Sequence, residues 1–136
     1  MDKVERWSRV GIIYHLELPE GEIFVSTNEL YLSLVIENLL DNANKFTDSG
    51  SITLKMRLDK AQSKLRIEVT DTGCGIPHEK HQVVFERFIK LNDFAQGTGL
   101  GLSICKLIIQ KWGGEIWVDP AYTKGARFVF THPIVK

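Results

Sequence analysis

Three polar side chains share one stripe of a predicted helix in the first third of the chain. Asn38, Asn42 and Lys45 follow one another at i, i+4 and i+7, which places them on the same side of an α-helix. Two amide oxygens can ligate a hard cation such as Mg²⁺, and an ammonium group one turn further on can meet a phosphate. A polar stripe that only faces water is the alternative that this spacing leaves open.

A second polar group follows a predicted strand. In the sequence Asp71-Thr-Gly73-Cys-Gly75, an aspartate at a strand end can accept a hydrogen bond from an amino group such as that of adenine. The two glycines let the backbone approach a flat ring closely or adopt positive φ. An ordinary turn built from Asp and Gly is the alternative here.

A glycine-rich segment runs directly into an apolar helical pattern. It comprises Gly97, Thr98, Gly99, Leu100 and Gly101, followed by Leu102 and Ser103. Free backbone N–H groups at a helix start, with glycines that admit phosphate oxygens, form an anion site. The segment lacks the Gly-Lys-Ser/Thr ending of a Walker A loop. Leu102 replaces the third glycine of a Rossmann fingerprint, and no strand immediately precedes it. A flexible hinge remains the alternative.

Length and composition indicate one globular domain. The chain has 136 residues, with 17 basic and 17 acidic side chains, and this balance argues against a general nucleic-acid binder. No apolar run approaches the ~18–20 residues that cross a bilayer, so we expect this domain not to contact a membrane. Cys74 and Cys105 are far apart in sequence and resemble reduced thiols of an intracellular protein.

Hydrophobic periodicity predicts the elements that position these groups. Strands are predicted at 11–18, 22–25, 52–58, 65–70, 115–118 and 127–131, the third and fourth forming a hairpin. A capping box, Ser26 with Glu29, opens a helix that ends near Thr47. In that helix, one apolar face is expected to pack on a sheet, namely Leu30, Leu34, Val35, Leu39 and Leu40.

Further helices are predicted in the second half of the chain. Residues 78–84 indicate a short helix, and 99–111 indicate a long one carrying Leu102, Ile104, Leu107 and Ile108. The order predicts an α+β fold, a two-layer α/β sandwich. Its sheet is mixed and mostly antiparallel, and the helices cover one face.

Taken together and in this order, the three polar elements resemble the histidine-kinase branch of the Bergerat-fold ATPases. Residues 38–47 are similar to that family's N box, 71–77 to its G1 box, 85–88 to its F box and 97–103 to its G2 box. Gly113-Gly114 and Gly125-Ala-Arg-Phe128 are similar to its closing pattern. The resemblance runs from about residue 12 to Pro133.

The resemblance implies a role for each matching residue. Asp71 holds the adenine amino group, with Gly73 and Gly75 beside the ring. Asn42 ligates the Mg²⁺ that bridges the phosphates of ATP, with Asn38 as a weaker candidate nearby. Lys45 faces the phosphates, and the loop of Gly97, Thr98, Gly99, Leu100 and Gly101 wraps them. Residues 86–98 form a lid over the nucleotide, and either Arg87 or Lys90 adds positive charge at the transferring phosphoryl group.

Other classes of protein with this fold compete for the function. Type II topoisomerases and heat-shock chaperones carry a general-base Glu where this chain has Asn38, and the neighbouring Glu37 is rotated by about 100° around the helix. An anti-sigma-factor-type serine kinase, or a scaffold with a vestigial pocket, is the other alternative. The segments 85–88 and 113–118 favour a sensor kinase.

The resemblance also implies what the chain lacks. None of its four histidines has the setting of a phosphoacceptor, so we expect a fragment without the histidine-bearing dimerisation domain, in which residues 1–10 are a linker stub or a short terminal element. Such a fragment binds ATP without autophosphorylating and is monomeric. The parent protein pairs with a response regulator, and we expect it to be membrane-anchored with this domain in the cytoplasm.

Overall fold

A computed structural model describes residues 11–18, 29–86 and 101–134, apart from the side chain of Glu29. These residues form five strands and two α-helices, in the order β1 Ile12–Glu17, α1 Glu29–Phe46, β2 Gly50–Asp59, β3 Lys64–Asp71, α2 Gly101–Lys111, β4 Ile116–Val118 and β5 Arg127–Pro133. Two short 3₁₀ turns, His78–Lys80 and Val83–Phe85, lie between β3 and α2. The predicted short helix at 78–84 therefore forms as two separate tight turns.

The strands form one sheet in the order β1-β2-β3-β5-β4. Strand β1 pairs with β2 in parallel, and every other neighbouring pair is antiparallel. A parallel pair needs a crossover connection, and α1 lies in that connection between β1 and β2. The sheet is thus mixed and mostly antiparallel, as predicted, and the hairpin of β2 and β3 is confirmed.

The core lies between the sheet and the two helices. Alternate residues of β3 and β5 pack in this core, as expected of strands with one face on it. The largest of these side chains are Ile67, Val69, Phe128 and Phe130, each no more than 1% exposed. Helix α1 contributes Val35, and α2 contributes Ile109. Burying side chains of this size stabilises the fold by about 1.5–3 kcal/mol each.

The face that α1 turns to the sheet differs from the predicted one. Val35 and Leu39 are fully buried, as expected, whereas Leu30 is 79% exposed and Leu34 is 39% exposed. The buried stripe continues instead to Ala43, one turn beyond Leu39. The apolar arc of α1 is wider than one contact surface. Helical periodicity alone therefore did not reveal which edge of the arc meets the sheet.

Several predicted features lie outside the described residues. They are the strand at 22–25, the Ser26–Glu29 capping box, the terminal element at 1–10 and the lid. Where the chain is described, neither helix combines the length and apolarity that a bilayer-spanning segment requires.

Candidate functional site

Asp71, the last residue of β3, is the most constrained polar side chain of the predicted site. It is 2% exposed, and its Oδ1 accepts hydrogen bonds from the N–H groups of Gly73 at 2.9 Å and Ala126 at 3.1 Å. Within the described parts of the chain, no hydrogen bond engages Oδ2. One carboxylate oxygen is therefore fixed by the backbone, and the other is left to accept a donor from a ligand.

The surroundings of Asp71 also change the pKa of its carboxyl group. Burial raises the pKa of this carboxyl above its ordinary value, and the hydrogen bonds from Gly73 and Ala126 partly offset the rise. Keeping this carboxylate ionised in a dry setting costs stability. Such a cost is typical of a side chain kept for binding rather than for folding.

The loop after Asp71 is seated on the end of α1. The N–H of Cys74 donates to the Phe46 carbonyl oxygen at 3.2 Å, and a Cβ on Gly73 would lie 2.0 Å from that same oxygen. Gly75 adopts φ +76°, a conformation that only glycine takes readily. The lack of a side chain at Gly73 thus lets the loop approach the backbone of Phe46. The positive φ of Gly75 turns the loop so that it lies beside Gly125.

The opposite end of the polar stripe on α1 meets the start of α2. A Cβ on Gly101 would lie 2.9 Å from Oδ1 of Asn38, whose Nδ2 donates to the Leu34 carbonyl oxygen at 2.9 Å. One turn further along α2, the Cys105 thiol lies 3.9 Å from the Val35 carbonyl oxygen. The two helices therefore run antiparallel, and the first turn of α2 lies beside Asn38.

Asn42 lies midway between these two contacts. Asn38, Asn42 and Phe46 recur every four residues, so they share one stripe that spans about 12 Å along the axis of α1. Asn42 is half-buried, whereas Lys45 in the last turn is exposed. The Asp71 loop, Asn42 and the start of α2 therefore lie in line along one side of α1.

The rest of the predicted set lies outside the described residues. These are Gly97, Thr98, Gly99 and Leu100 of the glycine-rich loop, and the two candidate cations Arg87 and Lys90. Gly101 is their only described neighbour from that loop, and it is the first residue of α2.

Sequence reasoning did not assign a role to the segment that closes the site behind Asp71. Ala126 donates one of the two bonds to Oδ1, and the Tyr122 hydroxyl donates to the Asp71 carbonyl oxygen at 2.9 Å. A Cβ on Gly125 would lie 2.1 Å from that oxygen. The pattern Gly125-Ala-Arg-Phe128 is part of the family resemblance, but nothing in the sequence connects Tyr122 with Asp71.

The family profile described as histidine kinase-, DNA gyrase B- and HSP90-like ATPase matches residues 27–136. The chain belongs to this ATPase family. Its curated relatives indicate which branch of this family the chain resembles. The adaptive-response sensory kinase SasA of Synechocystis sp. (strain PCC 6803) is 37% identical over 134 residues, which cover 96% of this chain and 35% of SasA. The sensor histidine kinase WalK of Bacillus subtilis is 31% identical and is covered to 23% of its length.

Solved structures of histidine kinases share the fold. The mycobacterial sensor histidine kinase MprB superposes with a TM-score of 0.85 at 28% identity, covering 98% of this chain and 91% of that one. The catalytic domain of histidine kinase ThkA gives 0.78 at 30% identity, covering 97% and 84%. The chain is therefore a histidine kinase-type ATP-binding catalytic domain of this ATPase family. It spans about a third of the length of the SasA relatives it matches.

Proposed function

We propose that this domain binds Mg²⁺-ATP and donates the γ-phosphoryl group to a histidine on a dimerisation domain outside this chain. The observation that carries the proposal is the buried Asp71 carboxylate, with Oδ1 held by two backbone N–H groups and Oδ2 available for the amino group of adenine. Gly73 and Gly75 shape the loop beside the ring. A complex of the relative ShkA with the ATP analogue AMPPNP supports the choice of nucleotide.

The phosphates of ATP extend from the Asp71 loop toward α2. The α1 stripe spans about 12 Å between the contacts at Phe46 and Asn38, a length comparable with an extended nucleotide. Helix N-termini favour phosphate, so the glycine-rich loop 97–101 and the start of α2 receive the β- and γ-phosphates. Either Arg87 or Lys90 adds positive charge there, while Lys45 faces the phosphates from the end of the stripe nearer Asp71.

The donor set fits a magnesium ion that arrives with the nucleotide. Mg²⁺ prefers oxygen ligands, keeps several waters, and is commonly held by one or two protein groups together with phosphates. Asn42 offers one amide oxygen from the middle of the stripe, and Asn38, whose Nδ2 donates to the Leu34 carbonyl oxygen, offers a second. Mg²⁺ would supply charge neutralisation to the transferring phosphoryl group.

Helix α1 supports phosphoryl transfer over ATP hydrolysis. It runs unbroken from Glu29 to Phe46, so Glu37 lies about 100° around the helix from Asn38. A carboxylate rotated away from the stripe is not placed to activate water on the γ-phosphate. In the proposed reaction the acceptor is a histidine imidazole: its nitrogen forms a bond to phosphorus, the bond to the β,γ-bridging oxygen breaks, and ADP leaves.

The remaining partners follow from the same proposal. The histidine-bearing dimerisation domain and a response regulator act with the full-length protein, which we expect to be membrane-anchored with this domain in the cytoplasm. We assign dimerisation to that histidine-bearing domain, so we expect this chain by itself to be a monomer. A stable dimer in light scattering at micromolar concentration would contradict this part.

Calorimetric titration tests the nucleotide and metal roles together. ATP and GTP are titrated into the wild-type chain with and without Mg²⁺, and the ATP titrations are repeated on Asn42→Ala and Asn42→Asp. We expect preferential ATP binding that Mg²⁺ strengthens. Asn42→Ala should remove the Mg²⁺ dependence, and Asn42→Asp, which keeps an oxygen ligand, should retain part of it.

Two outcomes would contradict the proposal at different points. A folded chain that binds no nucleotide would make the domain a scaffold with a vestigial pocket. ATP binding that responds to Mg²⁺ equally in the wild type and Asn42→Ala would preserve the pocket but exclude Asn42 as the metal ligand.

A further inference from the structure

The hydrogen-bond ladder between β3 and β5 is altered at Asp71. The register of these strands, which ends at the pair Thr70 and Arg127, places Asp71 opposite Ala126. In a regular antiparallel ladder such a pair exchanges two backbone hydrogen bonds. Here the Asp71 N–H donates to the Ala126 carbonyl oxygen at 2.8 Å, but the Ala126 N–H donates to the Asp71 side chain at 3.1 Å.

This exchange leaves the Asp71 carbonyl oxygen without its ladder partner. The Tyr122 hydroxyl donates to it at 2.9 Å and takes the place of the missing N–H. A buried carbonyl left without a donor would cost about 1–3 kcal/mol. The tyrosine therefore makes it favourable for the Ala126 N–H to bind the carboxylate instead of the backbone.

Tyr122 is itself held firmly in place. Its ring lies under the guanidinium group of Arg127, 4.5 Å from the ring centroid. Arg127 is fixed in turn, since its Nε donates to Thr70 Oγ1 at 3.0 Å and its Nη1 lies 3.3 Å from Asp119 Oδ2. The Glu68 carboxylate lies 3.7 Å from the Arg127 Nε. This network anchors the β4–β5 connection behind Asp71.

We propose that Tyr122 is a positioning residue for adenine recognition: its hydroxyl bond to the Asp71 carbonyl oxygen keeps the Asp71 carboxylate turned so that Oδ2 faces the 6-amino group of the base. The proposal rests on the proposed function of the domain. Without the hydroxyl, the Ala126 N–H can return to the Asp71 carbonyl oxygen. Oδ1 then keeps only the bond from Gly73, and the carboxylate loses its fixed orientation.

The test compares two nucleotides in two matched variants. Tyr122→Phe keeps the ring over Arg127 and removes only the hydroxyl. Tyr14→Phe removes an equivalent half-buried phenol bond, to Asn44 Oδ1 at 2.8 Å, away from Asp71. ATP and purine riboside triphosphate, which has hydrogen in place of the 6-amino group, are titrated into each folded variant, and thermal unfolding monitors stability.

We expect Tyr122→Phe to weaken ATP binding by about 2- to 10-fold, as for one net hydrogen bond, and to leave purine riboside triphosphate unchanged. Tyr14→Phe should keep the wild-type ratio between the two nucleotides. In an Asp71→Asn background the effect of Tyr122→Phe should disappear, since the two residues act through one group.

The opposite results separate the two proposals. A wild-type chain that binds no ATP would overturn the proposed function itself. A wild type that prefers ATP, with the same preference in Tyr122→Phe, would overturn the positioning role alone. An equal loss for both nucleotides would also overturn it, because Tyr122 would then support the pocket only in general.

Discussion

The side chain of Asn38 on α1 occupies the space that a Cβ on Gly101 of α2 would need. Such a Cβ would lie 2.9 Å from Asn38 Oδ1 and 3.6 Å from its Cγ. The absence of a side chain at Gly101 thus lets the start of α2 approach the amide. This contact joins the first and last of the three polar elements recognised in the sequence.

Gly101→Ala should disturb the site more than the fold. The atom that the new Cβ meets belongs to a side-chain amide, which can rotate away by giving up its bond to Leu34, and alanine gains helix propensity over glycine. We expect the free energy of unfolding to change by no more than about 1 kcal/mol, while ATP affinity falls. Chemical denaturation and calorimetry measure the two effects.

Gly114→Ala is the matched comparison for that variant. There the new Cβ would lie 2.1 Å from the Thr131 carbonyl oxygen, which is backbone in a strand and cannot rotate away. We expect destabilisation of about 1–3 kcal/mol, as for overpacking. If the two variants lose equal stability, the Asn38 contact is as rigid as backbone and our account of it is wrong.

Asp71→Asn should stabilise the fold and weaken ATP binding. The amide oxygen can still accept from Gly73 and Ala126, but the new NH₂ group would oppose the amino group of adenine. Losing a charged hydrogen bond to a ligand should cost about 1.5–3 kcal/mol, or roughly 10–100-fold in affinity. An unchanged dissociation constant with the fold intact would exclude the adenine role of Asp71.

The stability difference between wild type and Asp71→Asn should depend on pH. Burial raises the pKa of Asp71 in the folded state, so the folded chain binds this proton more tightly than the unfolded chain does. The favourable contribution of the neutral carboxyl is complete below the unfolded pKa of about 3.9 and is lost as pH rises through the folded value. Melting temperatures of the two proteins should therefore diverge from pH 4 upward. A constant gap would contradict the burial effect.

The sequence predicted the elements well because their signals are local. Alternation predicted the hairpin of β2 and β3, and glycine pairs and turn residues predicted where the helices end. The orientation of α1 was partly wrong, since Leu30 and Leu34 are exposed. Which edge of a wide apolar arc meets the sheet depends on the neighbouring helix, and Gly101 admits α2 beside Asn38.

The sequence predicted individual site residues only where they belong to one of the recognised motifs. Asp71 is predicted from its own loop, and so is its neighbour Gly73, but Tyr122 and Ala126, which also hold Asp71, come from a segment about 50 residues later. Tyr122 belongs to no periodic pattern or motif, yet its hydroxyl donates to the Asp71 carbonyl oxygen while the Ala126 N–H donates to the Asp71 side chain. This change of hydrogen-bond partners depends on how β3 and β5 are aligned in the sheet, and no local sequence pattern specifies that alignment.

The two cysteines should differ sharply in reactivity. Cys74 is exposed between the loop glycines, whereas Cys105 is buried and burial raises the pKa of its thiol to about 12. Because the thiolate is the nucleophile, we expect one rapid maleimide equivalent, at Cys74, and none at Cys105 until the chain unfolds. Cys74→Ser is the control and should abolish the rapid phase.

Saturating ATP should slow the labelling of Cys74, because this residue lies in the loop proposed to border adenine. Mass spectrometry at timed intervals measures the rate with and without nucleotide. A rate that does not respond to bound ATP would place the loop away from the base.

Leu107→Glu should separate phosphoryl transfer from nucleotide binding. Exposed apolar side chains lie on both helices, Leu30, Tyr31 and Leu34 on α1 and Ile104 and Leu107 on α2, and exposed apolar patches mark interaction surfaces. Under the proposed function, the partner that must approach the γ-phosphate is the histidine-bearing dimerisation domain. Leu107 is 58% exposed, so we expect a change in unfolding free energy within about 0.5 kcal/mol and an unchanged Kd for ATP.

Transfer of labelled phosphate to the separately supplied dimerisation domain of the parent protein should fall in Leu107→Glu. Gln110→Glu adds the same charge at another exposed position of α2 and should transfer at the wild-type rate. Equal transfer in both variants would show that this surface does not contact the dimerisation domain. An equal loss in both would indicate that negative charge on α2, rather than the lost apolar contact, reduces transfer.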